Sequence, residues 1–411
     1  MKTIKFEESV FRLWVQIMYE VIECEVCGSN ELIMVHDLGN HPLCDDLIPI
    51  GSDEKCHEYP IEILFCDICK TAHQRFQVPK KKLFPKSYHY RARMTSSVLQ
   101  GMKDLVLSCK TKIGSLEKKV VLDIGCNDGS LLDFFKEEKC ITIGIEPTDA
   151  AFDSKHETIN SFFDAASVEA VLETVGEPDL ITFTNVFAHI EDLNGMLLLL
   201  KRLIKADTVL VIENHYLGAV LNFCQFDTYY HEHPRTYSLQ SFVYIAQKLG
   251  LNLINYEFVS RYGGNIRAYI GNGLSAKIED IDESLFLQKF SQVNIDLLNW
   301  KWKTLKRIDD LVLKYGPLRA KAFPGRAAIL VKLLGLNNDH ISGVYEIKGS
   351  IKVNNYVPGT RIPILPEAQL YEEEDKSLPI LNLAWHLPNE VRSNLAVNGY
   401  KGAVIDIKDF S

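Results

Sequence analysis

Short apolar runs that stop at glycine or acidic residues alternate along this chain with stretches whose apolar positions recur at helical spacing. Val120–Leu122 is such a run, ended by Asp123 and Gly125, and predicts a buried parallel strand. Leu131, Leu132, Phe134 and Phe135 then open a helix, and Ile141–Ile145 forms a second apolar strand ending at Glu146. The alternation continues with a helix through Val168–Leu172 behind Phe162, Phe163 and Asp164, and a strand at Leu180–Thr184. Next come a helix over Leu193–Leu203, a strand at Thr208–Glu213, and a helix over Leu239–Leu249 with Ser238 as its N-cap. A Gly263-Gly264 turn runs into a strand reaching Ile270. Upstream, Val98, Met102, Leu105 and Val106 mark a helix, Ile61–Phe65 a strand, and Val10–Ile22 a short helix or strand. Downstream, Leu285, Phe286, Phe290, Val293, Leu297, Leu305, Ile308 and Val312 predict one long helix, with Trp300 and Trp302 in core or interface. A last α/β set follows: a helix over Ala327–Leu334, a strand end at Val344–Glu346, a Pro-rich loop at 357–364, and strands at Ile380–His386 and Gly402–Ile405. Strands alternating with helices predict parallel sheets, hence an α/β protein.

Length and composition sharpen this picture. A chain of 411 residues exceeds one ordinary core, so two or three domains are expected. Hydrophobic residues make up 46% and charged residues 24%, the balance of a globular protein. The net charge of −9 disfavours nonspecific nucleic-acid binding. No apolar run is long enough for a membrane span. Glu7, Glu8, Arg12 and Gln16 interrupt the N-terminus as a signal peptide. Translation is read as starting at Met1 or Met18.

The turn between the first two strands carries the first candidate chemistry. Glycines at Gly125 and Gly129 let the backbone approach a ligand, and the following helix presents its N-terminal N–H groups. Glu146, at a strand's C-terminal end, can accept both hydroxyls of a ribose. A pyrophosphate fingerprint has three glycines as G-x-G-x-x-G. Here the pattern is Asp123-x-Gly125-x-Asn127-x-Gly129, and Asp123 would repel phosphate but suit an ammonium and a sulfonium. It is similar to motif I of the S-adenosylmethionine (SAM) methyltransferases. Asn185 and His189 follow the next strand, so both are expected beside the cofactor.

Two Cys-x-x-Cys knuckles, Cys24/Cys27 and Cys66/Cys69, supply four thiolates, the set that structural zinc prefers. Four protein ligands leave no open position, so the ion is expected to be structural. His36, His41, Cys44, Cys56 and His57 lie between the knuckles without partners at ligand spacing. Knuckles and scattered single cysteines, ten in all, point to a reduced compartment and a cytoplasmic protein. Tyr88 and Tyr90 lead into the next domain, as a lid over the cofactor or as packing at a seam.

The densest polar cluster is Tyr230-His231-Glu232-His233. It lacks the i, i+4 histidine spacing of a helical H-E-x-x-H metal site. In an extended segment, neighbouring side chains point to opposite faces. The turn at Gly325 and Arg326 is a place where substrate phosphates could rest.

Together these pieces resemble the SAM-dependent C-methyltransferases of nucleotide-linked deoxysugars. The resemblance runs through the cysteine knuckles, Asp123–Gly129, Phe187-Ala188-His189, Tyr230–His233, Gly263-Gly264, Val357-Pro358-Gly359-Thr360 and Leu383-Ala384-Trp385. It implies an α/β fold with a zinc-binding N-terminal domain (20–88), a central Rossmann-like SAM-binding methyltransferase domain (89–275) and a second Rossmann-like domain (276–411). It implies SAM bound at Asp123, Gly125, Asn127, Gly129, Glu146 and Asn185, and Zn2+ at Cys24, Cys27, Cys66 and Cys69. The family's base falls on His233, with Tyr230, Glu232 and His189 supporting it. The substrate implied is a nucleoside-diphosphate 4-keto-deoxysugar, methylated at C3, with dTDP the first candidate nucleotide and GDP and CDP the alternatives.

Three positions depart from the family pattern. Ala322-Phe-Pro-Gly-Arg-Ala327 replaces a Gly-Ala-x-x-Lys-Gly run, Asn265 replaces a common Ser, and His386 a common Asn. All fall on the substrate side, so sugar and nucleotide stay open. The implied chemistry is removal of a proton next to a ketone, stabilisation of the enolate oxygen, and in-line attack on the SAM methyl. Two rivals are an O-methyltransferase of a sugar or phosphorylated metabolite, with His233 deprotonating a hydroxyl, and a non-catalytic sugar-nucleotide-binding protein.

Overall fold

The structure, a computed structural model, describes residues 18–83, 91–278 and 281–408. The expectations for residues 10–17 and for Tyr88 and Tyr90 lie outside them. Contacts divide the chain into two compact units. The first comprises the segment ending at Ile33, Leu64–Val220 and Glu232–Leu287; the second comprises Met34–Ile63, Leu221–His231 and the chain from Gln288 onward. Among the described residues no helix is long and apolar enough to cross a membrane.

The first unit is built on a seven-stranded sheet. Its strands are β1 (Val120–Ile124), β2 (Ile141–Ile145), β3 (Glu157–Ile159), β4 (Leu180–Thr184), β5 (Val209–His215), β6 (Asn252–Val259) and β7 (Asn265–Gly271). Their spatial order is β6-β7-β5-β4-β1-β2-β3. The five from β5 to β3 are parallel, and β7 runs antiparallel to both β5 and β6. The apolar runs read from the sequence are these strands: Val121, Leu122, Ile143, Ile181, Phe183, Leu210 and Ile212 are all fully buried. Both faces are covered by helices, including α1 (Ser96–Ile113), α2 (Ser130–Glu137), α3 (Ala165–Val175), α4 (Leu193–Leu200) and α5 (Leu239–Leu249). Strand order reverses between β1 and β4, and a ligand crevice opens at such a point, outside the carboxyl ends of the strands. Ser238 caps α5 as its sequence position predicts, its hydroxyl accepting from Ser241 N at 2.9 Å.

The first knuckle closes at Gly28, whose N–H donates to Cys24 O at 2.7 Å with φ at 80°, a conformation that suits glycine. Arg235–Thr236 pairs antiparallel with Thr71–Gln74, so the chain leaving His233 runs beside the cysteine cluster. Arg235, fully buried, pairs with Glu25 at 2.6 Å.

In the second unit, α6 (Phe286–Tyr315) is the long helix the periodicity predicts. Trp300 is buried and donates from Nε1 to Ile407 O at 2.9 Å. Trp302, expected in core or interface, is 66% exposed and so lies outside the core, because two residues along a helix is more than half a turn away. Strands β8 (Leu318–Lys321), β9 (Ile341–Glu346), β10 (Ile364–Pro366), β11 (Ile380–Asn382) and β12 (Val404–Asp406) form an all-parallel sheet in the order β10-β9-β8-β11-β12. The helix α7 (Ala327–Leu334) has the predicted bounds. The strand predicted over Ile380–His386 ends at Asn382, whose side-chain oxygen accepts from Ala384 N at 3.0 Å and turns the chain out of the ladder.

Candidate active site

Where strand order reverses, the loops after β1, β2 and β4 enclose a crevice of about 670 Å³, within the range of cofactor pockets. Its lining includes Asp123, Gly125, Asn127, Glu146, Asn185 and His189, six residues singled out from sequence. Gly125 takes φ 73°, and a Cβ there would stand 2.5 Å from Val186 Cγ2, so the turn admits only glycine. Gly129, also at positive φ, begins α2 and lies just outside the lining.

Glu146 ties the loops together. Its Oε2 accepts from Asn127 N at 3.0 Å, and its Oε1 accepts from Thr148 N at 3.0 Å and Thr148 Oγ1 at 2.6 Å. The carboxylate is thus fixed in orientation while still facing the crevice. The Asn127 side chain accepts from Ala92 N at 3.0 Å, and Asp128 accepts from Arg93 Nε at 2.8 Å. The segment entering α1 is therefore laid over the turn, and Ala92 joins the lining. Asp123 is buried, with Thr182 Oγ1 donating to its Oδ1 at 2.7 Å. Burial pushes its carboxyl up to about 7, helped by the charge of Glu146 and opposed by the Thr182 bond. Asn185 follows β4 at φ 55° and accepts from Asn265 Nδ2 at 3.0 Å, which brings the departure at Asn265 to the sheet end beside the crevice. Apolar residues on the other side, among them Phe162, Phe163, Met196 and Leu199, suit a flat base.

His189 sits on a turn after β4 and donates from Nδ1 to Glu232 O at 2.6 Å. Burial lowers its pKa, with the Glu232 bond opposing, so the ring is neutral. The His189 and His233 rings stand 4.8 Å apart, His233 and His215 5.6 Å, and His215 and Tyr262 6.0 Å. This row begins and ends on crevice-lining residues, His189 and Tyr262, with His233 behind them. The unit boundary falls inside the Tyr-His-Glu-His run: Tyr230 and His231 belong to the second unit, Glu232 and His233 to the first. Both histidines are buried, whereas Tyr230 and Glu232 are half-buried. His231 donates from Nε2 to Tyr59 O at 3.1 Å, and burial lowers it to about 4.

The four knuckle sulfurs lie within 4.8 Å of one another. Cys24 and Cys69 Sγ are 3.3 Å apart and Cys27 and Cys66 Sγ 3.5 Å, close to the ~3.8 Å edge of a tetrahedral zinc–thiolate site. All four cysteines are free, so the donor set fits Zn2+. Among the described residues this is the one such cluster; His36, His41, Cys44, Cys56 and His57 take no part, nor do His231, Glu232 and His233. His73 escaped sequence reasoning. Its Nε2 lies 3.3 Å from Cys24 Sγ and its Nδ1 3.4 Å from Glu25, the outer-shell arrangement that holds a ligand in place. Its position four residues past Cys69 was the only local signal.

In the second unit, Arg326 is ion-paired, while its Nη2 is buried without a hydrogen-bond partner among the described residues. Its Nε is 3.0 Å from Asp227 Oδ2 and its guanidinium carbon 4.9 Å over Trp385. The crevice residues Arg261 and Tyr262 also went unnoticed, as did His215, whose ring stands between those of His233 and Tyr262.

An open sheet with this order, a Gly turn at its reversal point and an acid ending β2 defines a Rossmann-like nucleotide-binding domain. Residues 90–256 match a family described as "Methyltransferase domain", residues 24–84 a "Putative zinc binding domain", and residues 276–405 a "C-methyltransferase C-terminal domain". Segment by segment, the chain is therefore similar to C-methyltransferases that combine these three parts. C-methyltransferase NovU of Streptomyces niveus is 29% identical over 255 residues, 61% of this chain and 60% of that protein, so the chain matches less than two thirds of its relative. Among solved structures, magnesium protoporphyrin IX methyltransferase (ChlM) from Synechocystis PCC 6803 aligns at 14% identity and TM-score 0.34, covering 47% of this chain and 92% of that one. A SAM dependent methyltransferase from Archaeoglobus fulgidus aligns at 19% and TM-score 0.31, covering 47% and 86%. Those two likenesses are too weak to bear on function. The crevice, with a buried acid for an ammonium and a fixed acid at the ribose position, fits SAM.

Proposed function

We propose that the protein is a SAM-dependent C-methyltransferase that methylates C3 of a nucleoside-diphosphate 4-keto-deoxysugar, dTDP-linked first, with GDP and CDP as alternatives. The observation that carries this reading is the contact of the His189 and His233 rings, 4.8 Å apart, which joins the buried His233 to a carboxylate-lined cofactor crevice through His189. SAM supplies an electrophilic methyl group when bound. His233 takes the proton from the carbon beside the ketone. Tyr230 or His189 hydrogen-bonds the ketone oxygen as charge develops on it, and Glu232 supports the base. Asp123, Gly125, Asn127, Gly129, Glu146 and Asn185 hold SAM, and holding both carbons in line supplies much of the rate. The zinc-binding, methyltransferase and C-terminal parts span residues 20–88, 89–275 and 276–411. Ten free cysteines support a cytoplasmic setting.

The test is mass spectrometry of SAM incubations with a panel of 4-keto nucleotide sugars in deuterated water. His233→Asn keeps SAM affinity, loses turnover by a factor on the order of a hundred or more, and stops solvent deuterium exchange at the carbon beside the ketone. Exchange at the wild-type rate in that variant would move the base to Glu232 or His189. A methyl group found on oxygen would refute C-methylation.

A further inference from the structure

The structure assigns Arg261 as the residue that receives the α-carboxylate of the SAM amino-acid group, and Gly101 as the residue that makes room for it. This rests on the reading that the crevice binds SAM. Three cations line the crevice: Lys80, Arg202 and Arg261. Lys80 lies over the Phe162 ring at 4.6 Å, and Arg202 is tied to Glu169. Both belong to the apolar side, where the base is expected. Across the sheet from Glu146 the polar groups run Asp123 at β1, Asn185 at β4, then Arg261 beyond β5. If Glu146 takes the ribose and Asp123 the ammonium, the next group along is the carboxylate, and Arg261 is the cation there.

The guanidinium is poorly committed elsewhere. Its Nη1 is 3.4 Å from Glu213 Oε1, its Nη2 3.5 Å from the Tyr262 hydroxyl, and its Nε is buried without a hydrogen-bond partner among the described residues. The close bonds to Glu213 belong to Arg267, from Nε at 2.9 Å and Nη2 at 2.7 Å, and Arg267 also pairs with Glu257. Arg267 therefore satisfies the buried Glu213 carboxylate and the half-buried Glu257, and Arg261 keeps donors for an anion. A planar guanidinium suits a carboxylate, which it can engage through two parallel bonds.

The backbone holds Arg261 there at a cost. Tyr262 takes φ 54° and ψ 25°, and Gly263 and Gly264 follow at φ 85° and 123°. A left-handed tyrosine persists only where its surroundings impose it, and such residues gather at ligand sites. Gly101 gives the independent observation. It lies inside α1, where glycine weakens a helix. A Cβ at Gly101 would stand 2.7 Å from Arg261 Cδ, Nε and Nη1. Alanine would displace the guanidinium, the flexible end of a side chain, rather than the helix.

The experiment uses the full-length protein and two probes: S-adenosylhomocysteine, which carries the amino-acid group, and 5′-methylthioadenosine, which lacks it. Calorimetry of Arg261→Gln should show S-adenosylhomocysteine weakened about tenfold or more, the value of a lost charge-assisted contact, with methylthioadenosine changed less than about twofold. Gly101→Ala should melt at the same temperature or higher, yet lose several-fold in S-adenosylhomocysteine affinity alone. Should both probes weaken together, or S-adenosylhomocysteine bind Arg261→Gln as it binds wild type, the assignment is overturned. The second result with turnover lost would place an acceptor anion on Arg261. Wild type that binds neither probe overturns the SAM reading as well, and so separates the two failures.

Discussion

Binding of SAM should release a proton, and the proton should come from Asp123. The carboxyl is buried at the end of β1 and pushed up to about 7, mainly by burial. Without ligand it is largely protonated below that pH. A cationic ligand beside it favours the carboxylate, so binding must drive the proton off. At about pH 5.5 only ~3% of the unliganded protein is ionised, so affinity should fall about thirtyfold below its plateau above pH 7, ~2 kcal/mol. Asp123→Asn keeps an acceptor for Thr182, whose hydroxyl donates at 2.7 Å, but cannot ionise. Its affinity should be flat across this range and near the low-pH value of wild type. Stability supplies an orthogonal check with a worked sign. An acid whose folded pKa lies above its unfolded value of about 3.9 contributes stability that is present at low pH and lost as pH rises through the folded value. Above about pH 7 the unliganded Asn variant should therefore melt higher than wild type while binding SAM less well. Calorimetry in two buffers of different ionisation enthalpy counts the released protons. A wild-type affinity independent of pH, or an Asn variant that keeps the wild-type slope, would refute the assignment.

Cys66→Ser should abolish the one zinc ion per chain expected at the four thiolates, read by metal analysis, and should lower the melting temperature because metal binding and folding are coupled. Asp227→Asn should destabilise the second unit by about 3–5 kcal/mol in denaturant melts, the cost of leaving a buried cation unpaired. Asp227 accepts from Lys408 Nζ at 3.0 Å and Trp385 Nε1 at 2.8 Å, and Lys408 is fully buried there. Burial acts to raise the Asp227 pKa, but Arg326 and Lys408 outweigh it and hold the carboxyl well below the usual range. Its contribution is thus present above about pH 4 and lost as pH falls further, so wild type and variant should converge in acid.

What sequence made legible was whatever neighbours in the chain determine. β2, β4 and α7 have the bounds their apolar runs predict, since a run stopped by a turn residue encodes both ends of an element. The cysteine knuckles were equally plain, because two ligands share each turn. The reading missed the core at Trp302, where two helix faces were read as one, and the strand end past Asn382, where a side-chain bond to Ala384 N competes with the strand. His73, His215 and Arg261 were invisible for another reason. Each acquires its role from a partner distant in the chain: Cys24 for His73, Gly101 for Arg261, and His233 and Tyr262 for His215.

The histidine run shows where local reasoning reaches its limit. The extended segment expected here is a bend and turn at residues 230–232, so strand alternation does not govern it; His231 and His233 are inside, and Tyr230 and Glu232 half-covered. Burial alone does not separate His231 from His233. What separates them is the partner each meets. The imidazole of His231 is spent on the Tyr59 carbonyl, and its pKa near 4 leaves it a weak base. His233 instead meets His189, whose Nδ1–H is fixed on the Glu232 carbonyl. The Asn185 backbone also hydrogen-bonds this ring, so a neutral His189 holds one proton between two backbone acceptors. A ketone oxygen would compete with them for a donor, and His189 stabilises an enolate best after it gains a proton. If His233 is the base, the proton it removes and the charge His189 must meet arise within one ring spacing of each other, and the adjacency of the two histidines follows from the chemistry rather than from packing alone.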